Sequence, residues 1–187
     1  MQLLPTEESA QIGARLGIVD WLATANIFRG LLHSPSGASA TYGVIDALIF
    51  HNAVATRTRE LVILRIGWRA GSEYVFCNHV QQSRELGIAD EDILGVRDPE
   101  RCRAYSATDH QVMHLADELY DAVEVTRSTW SALENAFTRQ ELVELVLIAG
   151  FWRAIAGFVK SAKIPLDEGV LSWPEGRQPN DYPTKDP

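Results

Sequence analysis

Sulfur is scarce in this chain. Its 187 residues include two cysteines, Cys77 and Cys102, and two methionines. The cysteines have no CxxC spacing, which excludes a disulfide framework and suits free thiols in a reducing cytoplasm. Positive charge is also in deficit: 17 Lys and Arg face 25 Asp and Glu, for a net −8. Without a basic face a broad nucleic-acid footprint is excluded, although one local arginine can still oppose an anionic substrate. No apolar run is long enough to span a bilayer; the longest, Leu145 to Trp152, is bounded by Glu144 and Arg153. The opening Met1-Gln2-Leu3-Leu4-Pro5-Thr6-Glu7-Glu8 has no positive segment followed by an apolar core, so a secretory signal is not expected. Strand alternation and low-complexity tracts are missing too. These absences predict a soluble cytoplasmic protein with neither nucleic acid nor membrane as partner.

What is present reads as helix. A chain of this length buries roughly 70 % of its unfolded surface, so one all-helical domain over residues 1–171 needs no disulfide or structural metal. Ile18 to His33 has helical spacing and is broken by Ser34-Pro35-Ser36-Gly37; Ala38 to Phe50 resumes it. Thr58 to Trp68 is strongly apolar, with Thr56 or Thr58 as N-cap. Ser72 is placed to cap the next helix, which runs to about Leu86 before Gly87. A short helix at Ala89 to Leu94 follows, then helices opening at Thr108, Ser128 and Arg139, the last extending to Ala162 before Pro165. Gly150 and Gly157 share a face there and permit close approach, either within the chain or between subunits. Glu60 and Glu141 each lead an apolar helix, a faint internal likeness. From Ser172 the composition turns to Pro, Gly, Asp, Asn and Lys, which predicts an irregular tail over residues 172–187, lying on the surface or on a neighbouring subunit.

Within this frame, Ser72, Val75 and His79 fall on one helical face, with Glu60 twelve residues upstream of Ser72. By residue type, His79 is either a general acid–base group or a hydrogen-bonded packing residue. Glu60 is either helix-start charge compensation or the partner of that histidine. Glu73 suits a helix N-terminus and can equally face a pocket, and Tyr74 suits a pocket wall. Cys77 reads as a small buried hydrophobe or a single redox thiol. Arg65, Arg69 and Arg153 are candidates to grip a carboxylate bidentately. His110, His114 and Asp117 share a helix face, which reads as solvated surface rather than a metal site.

The blocks Arg59-Glu60-Leu61-Val62-Ile63-Leu64-Arg65, Gly71-Ser72-Glu73-Tyr74 and His79-Val80, with Glu141-Leu142-Val143-Glu144-Leu145-Val146-Leu147-Ile148-Ala149-Gly150-Phe151-Trp152-Arg153, resemble the carboxymuconolactone decarboxylase family. That family shares its fold with the alkylhydroperoxidase D proteins. The likeness spans about residues 20–168. It implies an all-α, alkylhydroperoxidase-D-like helical bundle that assembles as a homo-oligomer, trimer or hexamer. In the redox relatives an acid precedes a CxxC whose second cysteine stands four residues before a histidine. The resemblance carries the acid onto Glu60, the histidine onto His79, and the two thiol positions onto Ser72 and Val75.

With both thiols replaced, the resemblance implies a cofactor-independent lyase of the decarboxylase branch, with no metal. His79 moves a proton and Glu60 sets its tautomer. Ser72, Glu73, Tyr74, Arg65 and Arg153 form the substrate site for a small carboxylic acid or lactone. Two alternatives stand beside it: a peroxidase-type antioxidant activity with Cys77 as sole thiol, and a non-catalytic oligomeric binding or scaffold protein.

Overall fold

The computed structural model describes residues 1–179; the remainder of the expected tail lies outside the described residues. No strand occurs among the described residues. The element that organises the rest is α5, Thr56–Arg69, buried all round: Leu61, Val62, Ile63 and Leu64 have no exposed surface. Four consecutive enclosed side chains leave no solvent face, so the helix must be wrapped by others. It is wrapped by α6 (Glu73–Glu85), α8 (Ala107–Asp121) and α10 (Arg139–Ala162). Shorter helices complete the shell: α1 (Thr6–Arg15), α2 (Asp20–Ala23), α3 (Asn26–Leu31), α4 (Pro35–Ile45), α7 (Asp90–Gly95) and α9 (Arg127–Glu134).

Caps set most boundaries. Ser72 accepts the Val75 N–H at 3.4 Å, as its position before α6 predicts. Ser106 with Asp109, and Thr138 with Glu141, close full capping boxes on α8 and α10. Glu141 is therefore a cap residue at a helix entrance, whereas Glu60 is enclosed inside α5, and the likeness between the two helices goes no further. Neither Thr56 nor Thr58 is the N-cap of α5; that position is Ala55, with no side-chain cap.

The structure adjusts three expectations. Ile18 to His33 is not one helix: the chain is extended at Ala25, between α2 and α3. The Asn26 N–H donates to Asp167 Oδ1 at 2.6 Å and the Ile27 N–H to Tyr74 Oη at 3.2 Å. The orphan donors of a new helix start are thus met by side chains distant in sequence, which offsets the interruption. Second, the break falls at residues 32–34, and helix resumes not at Ala38 but at Pro35, the first position of α4, where a missing N–H costs nothing. That helix then loosens into a π turn, Asp46–Phe50. Third, Gly150 and Gly157 face outward with nothing within 4 Å of where a Cβ would stand, so no close approach within the chain explains them.

By length and composition α10 is apolar enough to cross a bilayer, a property the short run Leu145 to Trp152 does not suggest. Leu142, Leu145, Ile148, Ala149, Trp152, Ile155, Ala156 and Val159 are buried in the core, which accounts for that side of the helix; Val143 and Leu147 are exposed on the other. After α10, Lys163 turns the chain with a left-handed φ of 53°. The following segment straps over the start of α6. Trp173 packs against Phe76 and Trp68, with ring centroids 5.3 and 5.8 Å away, and Arg97 grips Glu175 at 3.0 Å and the Pro174 carbonyl at 3.1 Å. Up to residue 179 the tail lies on its own chain.

Candidate active site

Helices α5 and α6 approach closely because residue 67 has no side chain. A Cβ on Gly67 would stand 3.0 Å from Val75 Cγ1 and 3.1 Å from the Phe76 backbone nitrogen. Glu60 lies seven residues before Gly67, on the same face of α5, so its carboxylate is delivered to α6. Glu60 Oε2 meets His79 Nδ1 at 2.7 Å. The other carboxylate oxygen accepts from Arg59 Nε at 3.0 Å, and Arg59 Nη1 donates to the Ile49 carbonyl of the π turn at 3.0 Å. Glu60 has no exposed surface. Burial alone would raise its proton affinity, but the His79 ring and the Arg59 guanidinium outweigh burial and hold it below the ordinary carboxylate value.

On its far side the imidazole has a second partner. Trp152 Nε1 donates to His79 Nε2 at 3.0 Å, with the two rings edge to face at 5.8 Å between centroids. An indole N–H only donates, so Nε2 is the acceptor and the ring proton resides on Nδ1, pointing at Glu60.

His79 forms part of the wall of a cavity of about 290 Å³. Trp21 and Phe50, 59 % and 50 % exposed, stand at its edge, and Phe151, Trp152 and Ile155 supply apolar wall. Its polar groups include Asn78, Gln82, Glu85 and the pair Tyr74–Asp167, in which the phenol donates to Asp167 Oδ2 at 2.5 Å. Burial first, and the Asp167 charge second, drive the Tyr74 phenol far above its ordinary value, so it stays a neutral donor. No Lys or Arg among the described residues lines the cavity.

The structure therefore unites Glu60, His79 and Tyr74, and separates the other expected site residues. Arg65 is not a carboxylate clamp: it forms a bidentate pair with Asp117, at 2.7 and 2.8 Å, and donates to the Val96 carbonyl at 2.6 Å. Arg69 joins Asp117 and Asp121 at 2.8 and 2.7 Å. Arg153 is exposed, over the Tyr120 ring and 3.3 Å from the Leu119 carbonyl. Ser72 is wholly buried in its cap, and Glu73 accepts from Ser172 outside the cavity. Cys77 is buried on the side of α6 away from His79, as the turn between positions 77 and 79 dictates. Burial, then the Glu73 charge, push its thiol up to about 12, with Arg97 countering only in part. On α8, Asp117 is committed to the arginines, His114 lies 3.4 Å from Glu100 and His110 packs on Tyr105.

Arg59 as a site residue, Trp152 as a partner and Asp167 altogether escape a reading by spacing. Trp152 is 73 residues from His79, and Asp167 is 93 from Tyr74. The apolar context of α10 and the Pro-containing turn before Asp167 carry no local sign of a site.

No family model matches the chain, and no curated protein matches it by sequence. Solved structures do match in fold. An uncharacterized peroxidase-related protein from a Silicibacter species superposes with a TM-score of 0.73 at 14 % identity, over 91 % of this chain and 90 % of its own. A Ralstonia eutropha protein described as an alkylhydroperoxidase AhpD core, also peroxidase-related and uncharacterized, gives 0.71 at 17 %, covering 88 % and 87 %. A protein of unknown function from Agrobacterium tumefaciens, provisionally assigned to antioxidant defence as AhpD, gives 0.69 at 16 %, covering 74 % and 95 %. The chain has the all-helical, AhpD-like fold.

Proposed function

We propose that this protein is an acid–base enzyme built on the AhpD-like fold. Its reading is a decarboxylase-like lyase or related isomerase, without a cofactor, for a small and largely apolar lactone or carbonyl acid. The observation that carries the proposal is the enclosed Glu60–His79 pair meeting an apolar cavity that no thiol lines. His79 exchanges a proton with substrate carbon at Nε2, and Glu60 neutralises the imidazolium that forms. Charge left on substrate as an enolate needs a donor, for which the Gln82 amide in the same wall is suited.

Among the described residues no Arg or Lys lines the cavity, a setting that suits loss of carbon dioxide. A carboxylate held by Arg or Lys is stabilised in the ground state. One enclosed among Phe151, Trp152 and Ile155 is not, and it loses charge density as the carbon–carbon bond breaks. The electron pair passes to the enolate, and the carbon takes a proton that Nε2 of His79 has first accepted from solvent. The test is turnover of a panel of lactones and β,γ-unsaturated or β-keto acids, followed by carbon dioxide release or ring absorbance. His79→Ala is expected to lower kcat by about 10²–10⁴; unchanged turnover of a true substrate would remove the mechanism.

A second reading is peroxide reduction. It draws support from the names of the fold neighbours, and it requires Cys77 to act as sole thiol. Its obstacle is a buried thiol pushed up to about 12 that does not line the cavity His79 faces. A third, non-catalytic ligand binding, needs the same cavity and is separated from both by the absence of turnover. For assembly we propose a homo-oligomer formed through the outward face of α10, where Val143 and Leu147 are exposed beside Gly150 and Gly157. Sedimentation velocity of Leu147→Arg checks this: dissociation is expected, and a monomeric parent would refute it.

A further inference from the structure

We infer that Trp152 is a positioning residue: its indole N–H holds the His79 imidazole as the neutral Nδ1–H tautomer, occupying the place at Nε2 that a substrate hydrogen must take. Substrate therefore has to displace the indole before the ring can accept a proton. The displacement half of this inference rests on the acid–base reading above; the tautomer half does not.

The argument starts from the direction of the donors. Arg59 Nε–H points to Glu60 Oε1, and Trp152 Nε1–H points to His79 Nε2. Neither group can reverse, because guanidinium and indole have no acceptor. The one bond with a choice, His79 Nδ1 to Glu60 Oε2 at 2.7 Å, is thereby oriented with the ring donating. A partner on the second nitrogen commonly fixes which nitrogen is free for chemistry. Here both nitrogens are occupied, and the occupant of Nε2 is a cavity-wall side chain only 4 % exposed.

Protonation at Nε2 would set N–H against N–H across 3.0 Å, so proton uptake and the Trp152 contact exclude each other. The other charged or titratable groups facing the ring or its cavity are Arg59 and Glu60 from α5, Tyr74 and Glu85 from α6, and Asp167 from the strap. Among the lining residues, α2, the π turn and α10 contribute none. Proton transfer balances simply: the hydrogen leaves substrate carbon for Nε2, its electron pair stays on the substrate, and the new positive charge faces Glu60.

The experiment is long-range nitrogen–proton NMR of the ¹⁵N-labelled full chain, with the Trp152 indole signal assigned by its loss in Trp152→Phe. Expected are an Nδ1–H ring in the neutral protein and an indole signal that moves as the ring takes up its proton. Folded Trp152→Phe should take up that proton about three- to tenfold more readily. A neutral ring protonated at Nε2, or an unshifted titration in the folded variant, would overturn the inference. Should Trp152→Phe fail to fold, the parent still decides it through the ring tautomer and the linked indole signal, with His79→Gln assigning the ring. None of this needs a substrate, so it succeeds or fails independently of whether lactone turnover is found.

Discussion

A carboxylate with no exposed surface keeps its charge only where positive groups stand beside it, and Glu60 has Arg59 at 3.0 Å and the His79 ring at 2.7 Å. Its folded proton affinity lies below the ordinary value of 4.5, because those partners outweigh burial. The sign follows: the stability it supplies is present above 4.5 and is lost as pH falls through the lower, folded value. Glu60→Gln should therefore cost about 3 kcal/mol near neutrality, leaving Arg59 buried without its anion. The gap from the parent should narrow in acid, as chemical denaturation from pH 7 down to about 3 would record. An equal loss at every pH would mean that packing, not charge, is what the substitution disturbs. Cys77 is the opposite case, a side chain whose burial suppresses chemistry. With its thiol pushed up to about 12, the folded protein should react with iodoacetamide at Cys77 much more slowly than the unfolded chain at pH 7.5. Cys77→Ser should leave any lactone turnover intact; loss of peroxide consumption in that variant would instead favour the antioxidant reading.

Between elements, α5 fits closely on α6 at Gly67, where the added Cβ of Gly67→Ala would meet the Phe76 backbone nitrogen at 3.1 Å and its Cα at 3.3 Å. Backbone cannot yield as a flexible side chain does, so the helices must separate. The variant should lose about 1–3 kcal/mol to overpacking, despite the better helix propensity of alanine. It should also lengthen the contact between Glu60 and His79. A thermal melt reads the first effect and the pH–rate profile the second. A stabilised variant would show that α6 shifts freely. The helices themselves were legible in the chain because apolar spacing is local, and Ser72 as a cap was legible for the same reason. The division of Ile18 to His33 was not, since the donors it exposes at Asn26 and Ile27 are met from Asp167 and Tyr74.

For the molecule as a whole, the strap after α10 links the cavity to the back of α6. Asp167 and Val170 line the cavity, Ser172 donates to Glu73, and Trp173 packs on Phe76 and Trp68. Trp173→Ala should uncover those rings, costing about 2–4 kcal/mol, and loosen Asp167 against Tyr74. Faster amide exchange at the start of α3, whose Asn26 and Ile27 N–H groups depend on that pair, would report it; unchanged protection would confine Trp173 to the surface. Seen at this scale, Glu60 and His79 were within reach of inspection because their nineteen-residue separation spans two successive helices with one short turn. Helical period alone aligns such neighbours. Periodicity gave no warning that Arg65 and Arg153 turn away from the cavity, because an arginine side chain follows whichever acid the fold brings near. Nor did it reveal Trp152 at Nε2 or Asp167 at the phenol, since those meetings depend on how α10 and the strap cross α6. Short-range repetition thus sufficed for helices and for one acid–base pair, while the walls, the charge balance and the resting proton position of the site arose from contacts between segments far apart along the chain.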